Sequence, residues 1–253
     1  MLTEKVSLFN IEIDPLTMKE AVQVIYGWIA AKDKCRYVVT PNTDSIVLLK
    51  RQNDLLRAYQ GASLILADGN PLVWASRLLG KPLPEVVPGS DLIPALFAAA
   101  KNKDALRVFL MGAAPGVAER ASAFIRARWP TVTICGIYSP AIGFESDEKE
   151  CSHMVSLIAT GTPDIVVLGL GAPKQELWIE KHHERIQASV VLCVGATIDF
   201  LAGEKKRAPV WMRKFCLEWL FRMLCEPRRL FLRYLRAAWV FPQLLIEELM
   251  GKA

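Results

Sequence analysis

Five short clusters in this chain carry the residue types that bind phosphates and sugars. They are Thr40-Pro41-Asn42, Asp68-Gly69-Asn70, the glycine-opened loop Gly112–Gly116, the run Gly169–Glu176, and Gly195-Ala196-Thr197 with Asp199 following. Each follows an apolar run and precedes a helical stretch. Glycines let backbone N–H groups approach a ligand closely, and helix N-termini attract anions. Brought together, such loops would form a polar crevice suited to a nucleotide or a nucleotide-sugar. Taken singly, each has a plainer explanation. Asp68 and Asn42 are both residues that cap helices, and Lys174, Gln175 and Glu176 could be ordinary polar residues of a first helical turn. The GxGxxG spacing of a dinucleotide loop is absent, which disfavours a dehydrogenase. GxSxG, HExxH and P-loop patterns are also missing. No Asp-x-Asp stands ready to hold a divalent ion at a diphosphate. The three histidines (His153, His182, His183) fall on helical stretches and are expected to be solvated.

A second set of chemically able residues is concentrated near the C-terminus. Residues 204–236 hold ten Lys or Arg against three carboxylates, while the whole chain is only +5. Arg229, Arg233 and Arg236 recur at i, i+4, i+7 and share one helix face. Trp211, Trp219, Phe221 and Phe231 are interleaved with the charges. This segment reads as a solvated helix face, as a membrane-surface patch with Arg for anionic headgroups and aromatics for the interface, or as a nucleic-acid binder.

Elements at regular spacing must position the five clusters. Apolar strand-like runs occupy 37–40, 64–67, 107–111, 132–137, 164–170 and 190–194. Helical stretches lie between and after them at about 43–59, 70–79, 90–102, 115–128, 145–160 and 173–187, and a further helix is expected over 18–29. Residues 6–13 alternate as an edge strand or hairpin. Continuous β-branched runs imply strands covered on both faces, hence an α/β fold with a mostly parallel, Rossmann-like sheet sandwiched by helices. In such sheets ligands bind beyond the carboxyl ends of the strands, where all five clusters fall. The composition shift near Gly203 suggests a core over 1–203 and a basic helical appendage over 204–253.

At 253 residues and 52% hydrophobic content the chain can bury a substantial core, yet it has no uninterrupted apolar run of about 18 residues. The N-terminus lacks the pattern of a signal peptide. Six scattered cysteines without a CxxC pair suggest buried thiols in a reducing compartment and make a zinc site improbable. The expected place is the cytoplasm, on the inner membrane face.

Read together, TPNTDSIVLL at 40–49, ADGNPLVWASRLLGKPLPEVVPGSDL at 67–92, VFLMGAAPGVAER at 108–120, PDIVVLGLGAPKQELWI at 163–179 and the stretch from GATIDF to RRLFLRYL at 195–235 form a collinear set. The chain resembles the WecG/TagA/CpsF glycosyltransferases, glycosyltransferase family 26, from about residue 6 to 242. The resemblance implies a GT-E type fold and an inverting, metal-independent enzyme without cofactor. Its donor would be a UDP-sugar and its acceptor a sugar on undecaprenyl diphosphate. N-acetylmannosamine or its uronic acid is the donor sugar expected first, with UDP-glucose and exopolysaccharide synthesis as the alternative. By the same resemblance Asp68 is the general base, assisted by Thr40, and Asn42, Gly112, Gly171 and Gln175 bind substrate. Arg222, Arg229 and Arg233 close the site over the diphosphate. A lipid-linked acceptor selects the membrane over nucleic acid as the partner of the appendage, and a homo-oligomer burying part of that surface is left open. The Thr-Asp-Ser after Asn42 departs from the Pro/Ala-Glu of many relatives, which bears on the donor more than on the chemistry.

Overall fold

The structure is a computed structural model that describes residues 4–100, 106–209, 211–212 and 217–251, the side chain of Arg229 excepted. Its centre is a six-stranded sheet built from β3 (Arg36–Val39), β4 (Leu64–Ile65), β5 (Leu106–Gly112), β6 (Val132–Tyr138), β7 (Ile165–Gly169) and β8 (Val190–Cys193). The spatial order is β4-β3-β8-β7-β5-β6, and every pairing is parallel. The expected α/β architecture is therefore present, and its sheet is parallel throughout.

Alternation along each strand sends side chains to two separate cores. Tyr37, Val39, Phe109, Met111, Val166, Leu168, Val191 and Cys193 enter one. Val38, Val108, Leu110, Ile165, Val167, Val190 and Leu192 enter the other. The first face is covered by a hairpin of β1 (Val6–Leu8) and β2 (Ile11–Ile13) and by helices α2 (Thr43–Leu49), α3 (Asn53–Gln60), α4 (Asn70–Leu78), α7 (Glu148–Gly161) and α8 (Lys174–His182). Helices α1 (Met18–Ala31), α5 (Gly89–Ala99), α6 (Val117–Arg128) and α9 (Thr197–Leu201) cover the second. The helix expected over 43–59 is thus two helices, broken at Lys50–Gln52. His182 is buried against Trp178, with ring centroids 5.2 Å apart, and so is not the solvated residue expected. Only His153 is exposed; His183 is half-buried on Tyr37.

This arrangement places the crevice. The chain leaves β3 toward one face through α2 but leaves the adjacent β8 toward the other through α9. Likewise β7 feeds α8 on the first face while its neighbours β8 and β5 feed α9 and α6 on the second. Diverging connections between neighbouring parallel strands open a cleft above their carboxyl ends.

Two C-terminal helices follow, α10 (Glu218–Cys225) and the long α11 (Pro227–Leu249). Although strongly basic at its start, α11 buries Leu230, Ala237, Phe241 and Leu244. Phe241 and Leu244 belong to the first core, with the Phe241 ring 5.5 Å from Phe9. The other side of α11 stays open: Leu232 is 70% and Trp239 73% exposed, and Phe231 and Leu235 are also exposed. Among the described residues no helix is long and apolar enough to cross a membrane.

Candidate active site

Asp68 stands three residues beyond the end of the edge strand β4, after the buried Leu66 and Ala67. The helix-cap explanation for it does not hold, because Gly69 takes the position before α4 and no side chain caps that helix. Gly69 has φ +123°, a conformation a residue with a Cβ rarely adopts, and this sharp turn leaves Asp68 on the strand side of the junction. The Asp68 amide donates to the Pro41 carbonyl at 2.8 Å, which ties it to the Thr40-Pro41-Asn42 loop. Burial, the largest influence, raises its carboxyl from an ordinary 3.8 to about 7. Arg222 and Arg207 act against that rise, whereas Glu218 and Asp91 add to it. A carboxyl poised near neutrality beside guanidinium groups is suited to accept a proton.

The Thr40 hydroxyl donates to the Cys193 carbonyl at 3.2 Å and so bridges the ends of β3 and β8. Asn42 caps α2, its Oδ1 accepting from the amides of Asp44 at 3.0 Å and Ser45 at 3.2 Å. Gly112 is where β5 and β7 approach most closely: a Cβ there would lie 2.6 Å from the Gly169 carbonyl carbon. Its lack of a side chain thus serves strand packing. Gly171 turns the chain into α8.

Gln175 is buried and works as a brace. Its Oε1 accepts from the Gly195 amide at 3.2 Å, and its Nε2 donates to Glu176 Oε1 at 2.9 Å. Glu176 is itself buried, its carboxyl raised to about 7 chiefly by burial, and among the described residues its Oε2 has no hydrogen-bond partner.

The C-terminal segment reaches this cleft from above. Arg222 lies over the Phe200 ring, 5.8 Å from its centroid, and carries its charge toward Asp68. Arg233 pairs with the buried Asp44 through Nε and Nη2, both at 2.6 Å. It also acts electrostatically on Glu176. The side chain of Arg229 lies outside the described residues, as do Arg213 and Lys214. The fold therefore brings Thr40, Asn42, Asp68, Gly112, Gly171 and Gln175 to one edge of the sheet, with Arg222 near Asp68 and Arg233 on α2. Among the described residues no group of three or more His, Cys, Asp or Glu is placed to hold a metal ion.

Comparison with known proteins decides the family. The model of the Glycosyl transferase WecG/TagA/CpsF family matches residues 6–253. The chain belongs to this family. Among curated relatives are the N-acetylglucosaminyldiphosphoundecaprenol N-acetyl-beta-D-mannosaminyltransferases of Staphylococcus aureus strains NCTC 8325 / PS 47 and MRSA252. Each is 31% identical over 229 residues, which cover 90% of this chain and 87% of the relative. This member of the WecG/TagA/CpsF family is a glycosyltransferase, with the strand-end crevice as its candidate active site.

Several of its site residues escape a reading of the sequence. Arg207, Asp91 and Asp44 lie on stretches the sequence singles out, but only folding shows that Arg207 meets Asp91 and that Arg233 meets Asp44. Asp44, in the Thr-Asp-Ser whose departure from relatives bears on the donor, gives no sequence signal of its pairing with Arg233.

Proposed function

We propose that the enzyme transfers N-acetylmannosamine from its UDP-activated form to the N-acetylglucosamine of an undecaprenyl-diphosphate-linked acceptor, in the synthesis of a bacterial cell-surface polymer. The observation that carries the chemistry is Asp68, a carboxyl raised to about 7 at the carboxyl end of a strand with Arg222 nearby. The choice of sugars rests on the activity named for relatives that match 90% of the chain.

In this reading Asp68 takes the proton of the acceptor hydroxyl as that oxygen attacks the anomeric carbon. The new C–O bond forms on the face opposite the breaking bond to UDP, so the configuration inverts. Negative charge then grows on the departing diphosphate, where guanidinium groups provide fixed, paired donors. Arg222 is placed to serve this role, with Arg229 and Arg233 following on α11. No metal or cofactor is assigned a part. Thr40 fixes the loop to which the Asp68 amide is tied, and Gln175 fixes the loops after β7 and β8 that would cradle the nucleotide.

A transfer assay with a GlcNAc-diphosphate-lipid analogue, a panel of UDP-sugars and EDTA present throughout tests this. Transfer of N-acetylmannosamine is expected. Transfer of glucose alone would move the enzyme to exopolysaccharide synthesis, and loss of all UDP-sugar binding would sink the reading.

A lipid-linked acceptor would hold the enzyme at the cytoplasmic face of the membrane, and α11 offers a surface to rest there. Leu232, Leu235 and Trp239 recur at i, i+3, i+7 on one exposed stripe, bordered by Arg228 and Arg236. Burying each apolar side chain is worth on the order of 1.5 kcal/mol. Replacing all three by serine should therefore weaken sedimentation with anionic vesicles at least ~10-fold. Unchanged sedimentation would mean that another surface meets the bilayer.

A further inference from the structure

Arg207 is among the first basic residues beyond Gly203, and its side chain turns back onto the body. Its Nη1 donates to Asp91 Oδ1 at 2.7 Å and to the Ser90 carbonyl at 3.4 Å, while Nη2 donates to Ser90 Oγ at 3.2 Å. Ser90 and Asp91 stand in the first turn of α5. The guanidinium carbon lies 5.8 Å from the centroid of Phe200, the same ring that Arg222 covers at the same distance. Among the described residues its buried Nε has no hydrogen-bond partner. Arg207 and the crevice carboxyl Asp68 also lie within electrostatic reach of each other.

Among the described residues, the charges that act most on Asp68 are Arg222, Glu218, Asp91 and Arg207. Arg207 is the member that touches another of them directly. It pairs with Asp91, which opposes ionisation of Asp68, and adds a positive charge of its own. We propose that Arg207, fixed by Ser90 and Asp91 at the Phe200 ring it shares with Arg222, is a positioning residue of the transfer reaction that seats the start of the C-terminal segment beside Asp68. This rests on Asp68 being the base, and the test separates the two ideas.

The readout is the pH dependence of kcat/KM between pH 5.5 and 9 for the full-length enzyme and for D68N, R207Q, R207K and D91N, each checked by thermal unfolding. Opposite displacements are the signature. In R207Q the midpoint of the acid limb should rise by about half to one pH unit, the size expected for one nearby charge at intermediate dielectric. Its rate should fall several-fold at pH 6.5 and return to within about threefold of the wild type at pH 9. In D91N the midpoint should move down, because a carboxylate opposing the ionised base has gone. R207K keeps the charge and should keep the midpoint. If R207Q does not fold, the R207K and D91N profiles decide. A uniform loss at every pH with an unmoved midpoint, or displacement of R207Q and D91N in the same direction, overturns the role of Arg207 and leaves Asp68 as base. Should D68N retain the acid limb, the base is another group and both readings fall.

Discussion

Replacing Asp68 by asparagine should lower turnover by roughly 10²-fold or more, the usual contribution of a positioned general base. Asparagine keeps the shape and the polarity of the side chain but cannot accept the proton of an attacking hydroxyl. The wild-type enzyme should itself lose activity in acid, since a base with a pKa of about 7 is ionised in only ~10% of molecules at pH 6. Folding stability should respond in the opposite sense. A carboxyl whose pKa is raised by folding, here from 3.8 to about 7, favours the folded state only while protonated. Stability is then lost as pH rises through that interval. The asparagine variant, neutral at every pH, should accordingly unfold at a higher temperature than wild type at pH 8, and the difference should shrink toward pH 4. Steady-state kinetics at pH 8 together with a melting curve at each pH check both halves. Near-wild-type turnover would remove Asp68 from the mechanism, and a variant that was inactive and also less stable at pH 8 would point to structural damage.

The parts of this fold legible from sequence are those where local chemistry and global packing agree. Strands β5, β7 and β8 are buried on both sides, so they read as continuous apolar runs, and the polar clusters after them mark the carboxyl edge of the sheet. Capping by Asn42 was legible for the same reason, because a cap depends on residues two and three places away. What depends on distant partners was not. The break at Lys50–Gln52 interrupts an otherwise continuous helical pattern. His182 is buried because α8 lies against the first core, and its polarity gives no hint of that. Arg207 meets Ser90 and Asp91 across more than a hundred residues of chain. The C-terminal segment misleads in another way. Its arginines dominate the composition and draw attention from Leu230, Ala237, Phe241 and Leu244, which recur at i, i+7, i+11, i+14 and form the buried side of α11.

That buried side changes how the C-terminal segment must be tested. Phe241→Ala should destabilise the protein by about 3–5 kcal/mol, the usual cost of removing a packed aromatic ring. Phe241 is 8% exposed, packs against Phe9 with the two rings tilted by 47°, and shares its core with Leu244. Around it Glu248 accepts from the Phe9 amide at 3.3 Å, and Lys50 pairs with Glu247 at 2.5 Å. Set against a typical folding stability of about 5–15 kcal/mol, one such truncation would consume a large share. Deleting everything after Gly203 would strip Leu230, Ala237, Phe241 and Leu244 at once and leave Phe9 and the outer side of α2 uncovered. Loss of activity in that deletion would then follow from an opened core, whatever Arg222 and Arg233 do. Leu232→Ser on the exposed side of the same helix should change stability by no more than about 0.5 kcal/mol. Equilibrium urea unfolding of the two variants separates the sides of α11. If Phe241→Ala proved as mild as Leu232→Ser, the helix would be a detachable appendage, and deletion would become a fair test of its arginines. A large difference would mean that only point substitutions at those arginines can assign them a part in catalysis.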